Sequence, residues 1–144
     1  MPQGRTWLWW AVAFIVAGWL LWMTLRPNQT VAADLAPLTE SAGKQGIPTP
    51  FLIDFAGNIA VFVPLGAALA LALRGNPLAR RLLLAILGGA GLSMIIELIQ
   101  TSIPSRVAAV DDWLLNTLRV FLGAVVACVV VWRNQRDQRL ETGD

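Results

Sequence analysis

The sequence contains no histidine, one lysine and one cysteine. Without histidine it cannot form a Ser-His-Asp or Cys-His catalytic arrangement, an HExxH zinc site or a histidine pH switch. The single cysteine, Cys128, excludes a disulfide within the chain, and its apolar neighbours indicate a packing role. Lys44 stands in "AGKQG", which does not match a phosphate-binding P-loop. Because histidine is absent and only one cysteine is present, a bound metal would need oxygen ligands, as Mg²⁺ and Ca²⁺ do.

Charged residues are also scarce: 14% of the 144 residues are charged, whereas 56% are hydrophobic. The length suits one domain, but the composition is too apolar for an ordinary soluble domain. The net charge of +2 comes from arginines near the ends of apolar segments, and no nucleic-acid-binding motif is visible. We therefore expect a protein whose main partner is the lipid bilayer and which binds no nucleic acid.

The apolar residues fall into four long segments. Each is close to the roughly 20 residues that a helix needs to cross a bilayer. Helices are expected because isolated strands cannot satisfy their backbone groups in lipid. Tryptophans near the segment ends, including Trp113 and Trp132, suit an interfacial aromatic belt. The predicted fold is an all-α, polytopic membrane helix bundle with four transmembrane helices over residues 7–25, 51–73, 82–100 and 113–132.

This pattern divides the chain into four parts. We expect an N-terminal transmembrane helix in residues 1–26, an extracytoplasmic loop in 27–50, a three-helix core in 51–132 and a cytoplasmic tail in 133–144 that frays. A cleavable signal peptide is the alternative for the first helix, since Arg5 precedes it and "VAA" follows it. Its apolar core is longer than the roughly 7–15 residues typical of a signal peptide, which favours a retained helix.

Lysine and arginine predict the orientation. Four spans place the N-terminus, the 74–81 link and the tail on one side of the membrane, and these segments carry seven lysine or arginine residues. The other side carries three: Arg26, Lys44 and Arg106. Because positive charge concentrates on the cytoplasmic side of membrane proteins, both termini are predicted to be cytoplasmic.

Polar residues gather at the predicted outer ends of three helices. They are Asp54, Asn58, Glu97, Gln100, Asp112 and Asn116, with Arg106 in the loop between the last two helices. Spacings of three or four residues place each helical pair on one face. Ala85, Gly89 and Ser93 precede Glu97 at four-residue intervals, and small residues in such a line allow another helix to approach. We therefore expect Glu97 to face the bundle.

Each of these residues also has a purely structural interpretation. A helix-terminus role is open for Asp54, Asp111 and Asp112. Hydrogen bonding or pairing inside the bundle is open for Asn58, Glu97 and Asn116. Arg119 lies about two turns into the fourth segment, so it needs a partner within the bundle.

In their order and spacing, "DFAGNIAVFVPLG", "IIELIQ", "SR", "DDWLLNT" and "FLGA" resemble the VanZ-like family of small bacterial membrane proteins over roughly residues 50–127. The resemblance implies a multi-pass protein of the bacterial cytoplasmic membrane. The polar motif of that family falls on the seven residues that we predict to bind a ligand: Asp54, Asn58, Glu97, Gln100, Arg106, Asp112 and Asn116. The member that gives the family its name is associated with teicoplanin resistance. This chain departs from the family pattern at Arg119, commonly glycine, and at Ala109, often an acid.

Our leading hypothesis is recognition of a cell-envelope ligand: a lipid-linked precursor, a lipid headgroup or a glycopeptide. One alternative is an enzyme acting on an envelope lipid, in which Asp54, Glu97 and Asp112 hold a divalent cation such as Mg²⁺ or two of them divide the acid and base roles. Others are a proton-coupled transporter that titrates Glu97 and an accessory subunit of a larger complex. The sequence identifies no cofactor and leaves the ligand, any catalysis and the oligomeric state open.

Overall fold

The computed structural model describes residues 6–25, 57–102 and 110–142, together with Ala36 and Glu40. Its four helices are α1 (Thr6–Leu25), α2 (Gly57–Ala72), α3 (Leu78–Gln100) and α4 (Val110–Thr142). No strand occurs within these ranges. The all-α prediction is therefore confirmed for the described part of the chain.

The link between α2 and α3 is shorter than predicted. Residues 73–77 form a tight turn in which the backbone N–H of Asn76 donates to the carbonyl of Leu73, 2.9 Å away. α3 then begins at Leu78, four residues before the predicted start, because leucine, alanine and arginine directly after Pro77 are good helix formers. Arg81, counted above as a charge in the link, is instead a buried residue of α3.

α4 is longer at both ends than its predicted span of 113–132, and the expectation of a frayed tail was wrong. The helix runs from Val110 to Thr142, with Asp111 and Asp112 in its first turn. Carboxylates there interact favourably with the helix dipole. The segment after residue 132 is rich in arginine and glutamine and lacks glycine and proline until residue 143, so it favours helix.

Two helices are long and apolar enough to cross a membrane: Leu78–Gln100 and the Val110–Leu140 part of α4. The other apolar helices in the described residues, Thr6–Trp22 and Ile59–Ala72, are shorter. Only 22% of the apolar window of α3 and 39% of that of α4 are buried inside the protein, unlike a core helix of a soluble domain. Large exposed apolar side chains cover both helices, as expected of helices that face lipid.

The bundle is tightest where α2 meets α4. Val120 is fully buried there. A Cβ atom on Gly66 would overlap the carbonyl of Val120, and one on Gly123 would overlap the carbonyl of Val63. The two backbones therefore touch directly, as is common between membrane helices with small interface residues. Close packing of α4 is preserved despite Arg119 because the contact is made at Gly123, one turn further along.

The pairing of α3 with α4 defines two ends of the bundle. The side chain of Val120 packs where a Cβ on Gly89 would lie, and one turn away Ser93 pairs with Asn116. Since one residue number rises as the other falls, the two helices are antiparallel. The end of α3 and the start of α4 thus lie at one end of the bundle, called here the α3–α4 end. Residues 73–77 lie at the opposite, α2–α3 end.

Candidate functional site

Four of the seven predicted binding residues have described side chains: Glu97, Gln100, Asp112 and Asn116. All four lie on α3 or α4 toward the α3–α4 end. Asn58 lies in the first turn of α2, but only its backbone is described. Asp54 and Arg106 lie outside the described residues, as do the predicted start of the second helix at residues 51–56 and Ala109.

The centre of the site is a buried hydrogen-bonded cluster of Ser93, Asn116 and Arg119. Ser93 is fully buried, and Asn116 and Arg119 are 5% and 6% exposed. The Nδ2 of Asn116 donates to the Oγ of Ser93 across 3.2 Å. The Nη1 of Arg119 donates to the Oδ1 of Asn116 across 2.7 Å. Asn116 thus links α3 to the one arginine inside the apolar part of α4, which confirms its interpretation as an interhelical hydrogen-bonding residue.

The cluster explains how Arg119 is accommodated. An arginine near the middle of a membrane helix costs roughly 2.5–3.5 kcal/mol on insertion scales. A hydrogen bond to a charged group returns about 1.5–3 kcal/mol. Asp112, two turns before Arg119 on the same side of α4, also attracts the guanidinium electrostatically. The expectation that Arg119 finds a partner in the bundle is therefore confirmed.

Hydrogen bonds at both the oxygen and the nitrogen orient the side-chain amide of Asn116. Its oxygen accepts from Arg119 and its nitrogen donates to Ser93. A ligand would compete with these bonds for the same amide. Within the described structure, Asn116 therefore serves to position Arg119 and to hold α3 against α4.

Glu97 and Gln100 occupy the last turn of α3 and are half-buried. The line of small residues before Glu97 does face the bundle, since Ala85, Gly89 and Ser93 are buried. Glu97 continues this line but keeps part of its surface accessible. The buried line thus agrees with the predicted inward orientation of Glu97. Because Glu97 lies at the end of the helix, part of its surface remains accessible to a ligand.

Asp111 and Asp112 are exposed in the first turn of α4. Their helix-terminus interpretation agrees with this position, because carboxylates are stabilised near the positive end of the helix dipole. Asp112 lies one turn before Asn116 on the same face. Exposed carboxylate, buried amide and buried guanidinium thus follow one another along α4 from the α3–α4 end inward.

Sequence reasoning missed two interhelical contacts. Ser93 was interpreted only as a small residue, yet its hydroxyl accepts from Asn116. Trp113 was assigned to the interfacial belt, yet it is half-buried and its Nε1 donates to the carbonyl of Ala90 across 3.0 Å. The four-residue line through Ser93 was the available signal for the first contact. The acceptor of the second contact is a backbone carbonyl within a helix, which the side-chain types in a sequence do not reveal.

Among the described residues, no group of three or more Asp, Glu, Cys or His side chains could hold a metal ion. The Mg²⁺ arrangement considered above also uses Asp54, which is not described. The described groups at this end offer carboxylates and an amide near the surface and a positioned guanidinium beneath them. This chemistry suits a polar ligand with hydrogen-bond donors.

Comparison with known proteins identifies a family. A family model described as VanZ/LLP1 matches residues 6–132. The match includes α1, which lies outside the part of the chain that carried the resemblance in the sequence. The searches of curated proteins and of solved structures found no match.

Proposed function

The chain belongs to the VanZ-like family, and we propose that it is a receptor in the bacterial cytoplasmic membrane for the polar headgroup of an envelope ligand. The observation that carries the proposal is the buried cluster of Ser93, Asn116 and Arg119 beneath the half-buried Glu97 and Gln100. Two apolar helices that served only to pack against each other could be stable with apolar residues at these positions. The cluster instead holds an amide and a guanidinium beneath the half-buried polar groups at the α3–α4 end.

The proposed topology has four spans with both termini in the cytoplasm. Family membership and the two long apolar helices indicate a membrane protein. α1 and α2 pack against the other helices along their apolar lengths, which supports their insertion as spans. The arginine-rich α2–α3 end then faces the cytoplasm. The α3–α4 end faces the envelope, where lipid-linked precursors, lipid headgroups and glycopeptides are found.

The described groups favour a ligand rich in hydrogen-bond donors. The carboxylates of Glu97 and Asp112 can accept bonds from sugar hydroxyl, peptide N–H or ammonium groups. Gln100 offers both an acceptor and donors. A lipid-linked cell-wall precursor carries sugar hydroxyl and peptide N–H groups together, so it is the ligand class that we favour. Arg106, from the neighbouring loop, is the proposed contact for its anionic group.

Binding of a fluorescent lipid-linked precursor to the purified protein in nanodiscs tests this function. We expect Glu97→Gln and Asp112→Asn each to weaken binding about tenfold, because each removes a charged acceptor. Asp137→Asn is the matched control, since Asp137 is exposed in the distal part of α4, far along the helix from the site. Equal affinity for all four proteins would refute recognition through this end.

The enzyme and transporter alternatives use the same residues but require more than the described groups provide. Metal-dependent catalysis needs Asp54 as a third oxygen ligand, and a transporter needs a path across the bundle. Turnover of the labelled precursor that depends on Mg²⁺ would favour the enzyme. Flux in proteoliposomes that depends on pH and is lost in Glu97→Gln would favour the transporter.

A further inference from the structure

A second polar site lies at the α2–α3 end, opposite the cluster described above. A partly enclosed cavity of about 590 Å³ opens there between the start of α1, the turn after α2, the first turns of α3 and the distal part of α4. Its polar lining residues are Thr6, Arg74, Asn76, Arg81, Asn134 and Gln135. None of them belongs to the residues assigned to envelope recognition.

Arg81 is the unusual member of this lining. It is only 7% exposed. Its Nε donates to the carbonyl of Ala70 on α2. Its Nη2 is buried and has no hydrogen-bond partner among the described residues. A buried N–H of a charged group without an acceptor is costly. A small shift of the Arg81 side chain toward an acceptor in the cavity would therefore relieve a penalty.

The charge of the cavity selects the kind of acceptor. Two guanidinium groups line it, those of Arg74 and Arg81, and no carboxylate does so among the described lining residues. Asn76, Asn134 and Gln135 contribute neutral side-chain amides. Guanidinium groups bind oxyanions through paired, charge-assisted hydrogen bonds. The arrangement therefore favours an anion with several oxygens over a neutral ligand.

The residues beside the cavity are of the kinds found at a membrane–water interface. Val131, which also lines it, is followed by Trp132, a 59% exposed tryptophan. The guanidinium carbon of Arg136 lies 5.8 Å from the centroid of that ring, in cation–π range. An exposed tryptophan beside arginine at the end of an apolar helical stretch is typical of the membrane–water interface. Anionic phospholipids concentrate there on the cytoplasmic side.

We propose that this cavity binds a phosphate group, with Arg81 and Arg74 as its cationic contacts. The phosphate belongs either to an anionic phospholipid headgroup or to free phosphate, which share the same chemistry. Occupancy would join α2, α3 and α4 at this end through the ligand and so stabilise the bundle. The proposal shares the proposed topology with envelope recognition but none of its residues, because it concerns the opposite end of the molecule.

The test is a thermal-unfolding titration of the purified full-length protein in a neutral detergent. The probes are dihexanoyl phosphatidylglycerol, dihexanoyl phosphatidylcholine and inorganic phosphate. We expect phosphatidylglycerol to raise the melting temperature of the wild type in a saturable manner. Arg81→Gln and Arg74→Gln should each weaken the apparent affinity about tenfold or more. Arg80→Gln is the matched control, since it removes the same charge from an exposed neighbour that does not line the cavity.

Each outcome decides the proposal. A response to phosphatidylglycerol that is lost in the two cavity variants and kept in Arg80→Gln supports a lipid ligand. An equal response to inorganic phosphate, with the same dependence on the variants, supports free phosphate. No response to phosphatidylglycerol or inorganic phosphate, an equal response to phosphatidylcholine, or an equal loss in Arg80→Gln overturns the site. If Arg81→Gln does not fold, the comparison of Arg74→Gln with Arg80→Gln decides alone.

Discussion

Asn116 and Ser93 are 23 residues apart in the sequence, yet the Nδ2 of one lies 3.2 Å from the Oγ of the other. This bond joins α3 to α4 within the buried part of the bundle. It also orients the amide oxygen that accepts from Arg119. Arg119 is thus accommodated within the fold because the amide oxygen of Asn116 accepts a hydrogen bond from its guanidinium.

Removing the amide should show that Asn116 and Arg119 act as a unit. Asn116→Ala leaves the guanidinium without this acceptor, so we expect the free energy of unfolding to fall by about 1–3 kcal/mol. In Asn116→Ala/Arg119→Leu the buried charge is also gone, and we expect stability to recover part of that loss. Unfolding in mixed micelles measures both, together with Arg119→Leu alone, which completes the double-mutant cycle. Strictly additive losses in the double-mutant cycle would contradict the coupling.

The glycine contacts between α2 and α4 should be intolerant of a single methyl group. We expect Gly66→Ala and Gly123→Ala each to destabilise the protein by about 1–3 kcal/mol, because the added Cβ meets backbone that cannot rotate away. Gly91→Ala is the control: nothing lies within 4 Å of its Cβ position, and alanine favours helix over glycine by roughly 0.5–1 kcal/mol. Melting temperatures in detergent should move in opposite directions, and a loss in all three variants would contradict the assignment.

The hydrogen bond of Trp113 should contribute to the pairing of α3 with α4. Trp113→Phe keeps an aromatic ring but removes the donor to the carbonyl of Ala90. We expect a loss of about 0.5–1.5 kcal/mol in unfolding free energy. Trp132→Phe is the comparison, since that tryptophan is largely exposed and its indole is expected to face the interface. If both substitutions cost the same, the Trp113 bond contributes nothing specific.

The sequence predicted the helices and their polar ends because both follow from local patterns. Apolar runs identify segments that bury in lipid, and spacings of three and four identify shared faces. The line through Ala85, Gly89 and Ser93 predicted the buried face of α3, and the structure confirms that face. On α4, Asn116 and Gly123 lie two turns apart, and both are buried.

The features that the sequence did not reveal depend on which helices pack together and on the register between them. Arg81 was counted as a charge of the 74–81 link, because no local pattern shows that its side chain donates to the carbonyl of Ala70. The extent of α4 was missed because a hydropathy pattern ends with the apolar run, whereas helical hydrogen bonding continues through polar residues. The serine acceptor of Asn116 required the register between α3 and α4, which only the packing at Val120 defines.

The most direct test of envelope recognition is the side of the membrane on which the α3–α4 end lies. In a Cys128→Ala background, Ser102→Cys places a thiol at an exposed position just after α3, and Gln138→Cys places one on the exposed distal part of α4. Intact cells are treated with a membrane-impermeant maleimide. The account predicts that Ser102→Cys is labelled without lysis and Gln138→Cys only after lysis. The reverse pattern would place the site in the cytoplasm and contradict recognition of an envelope ligand.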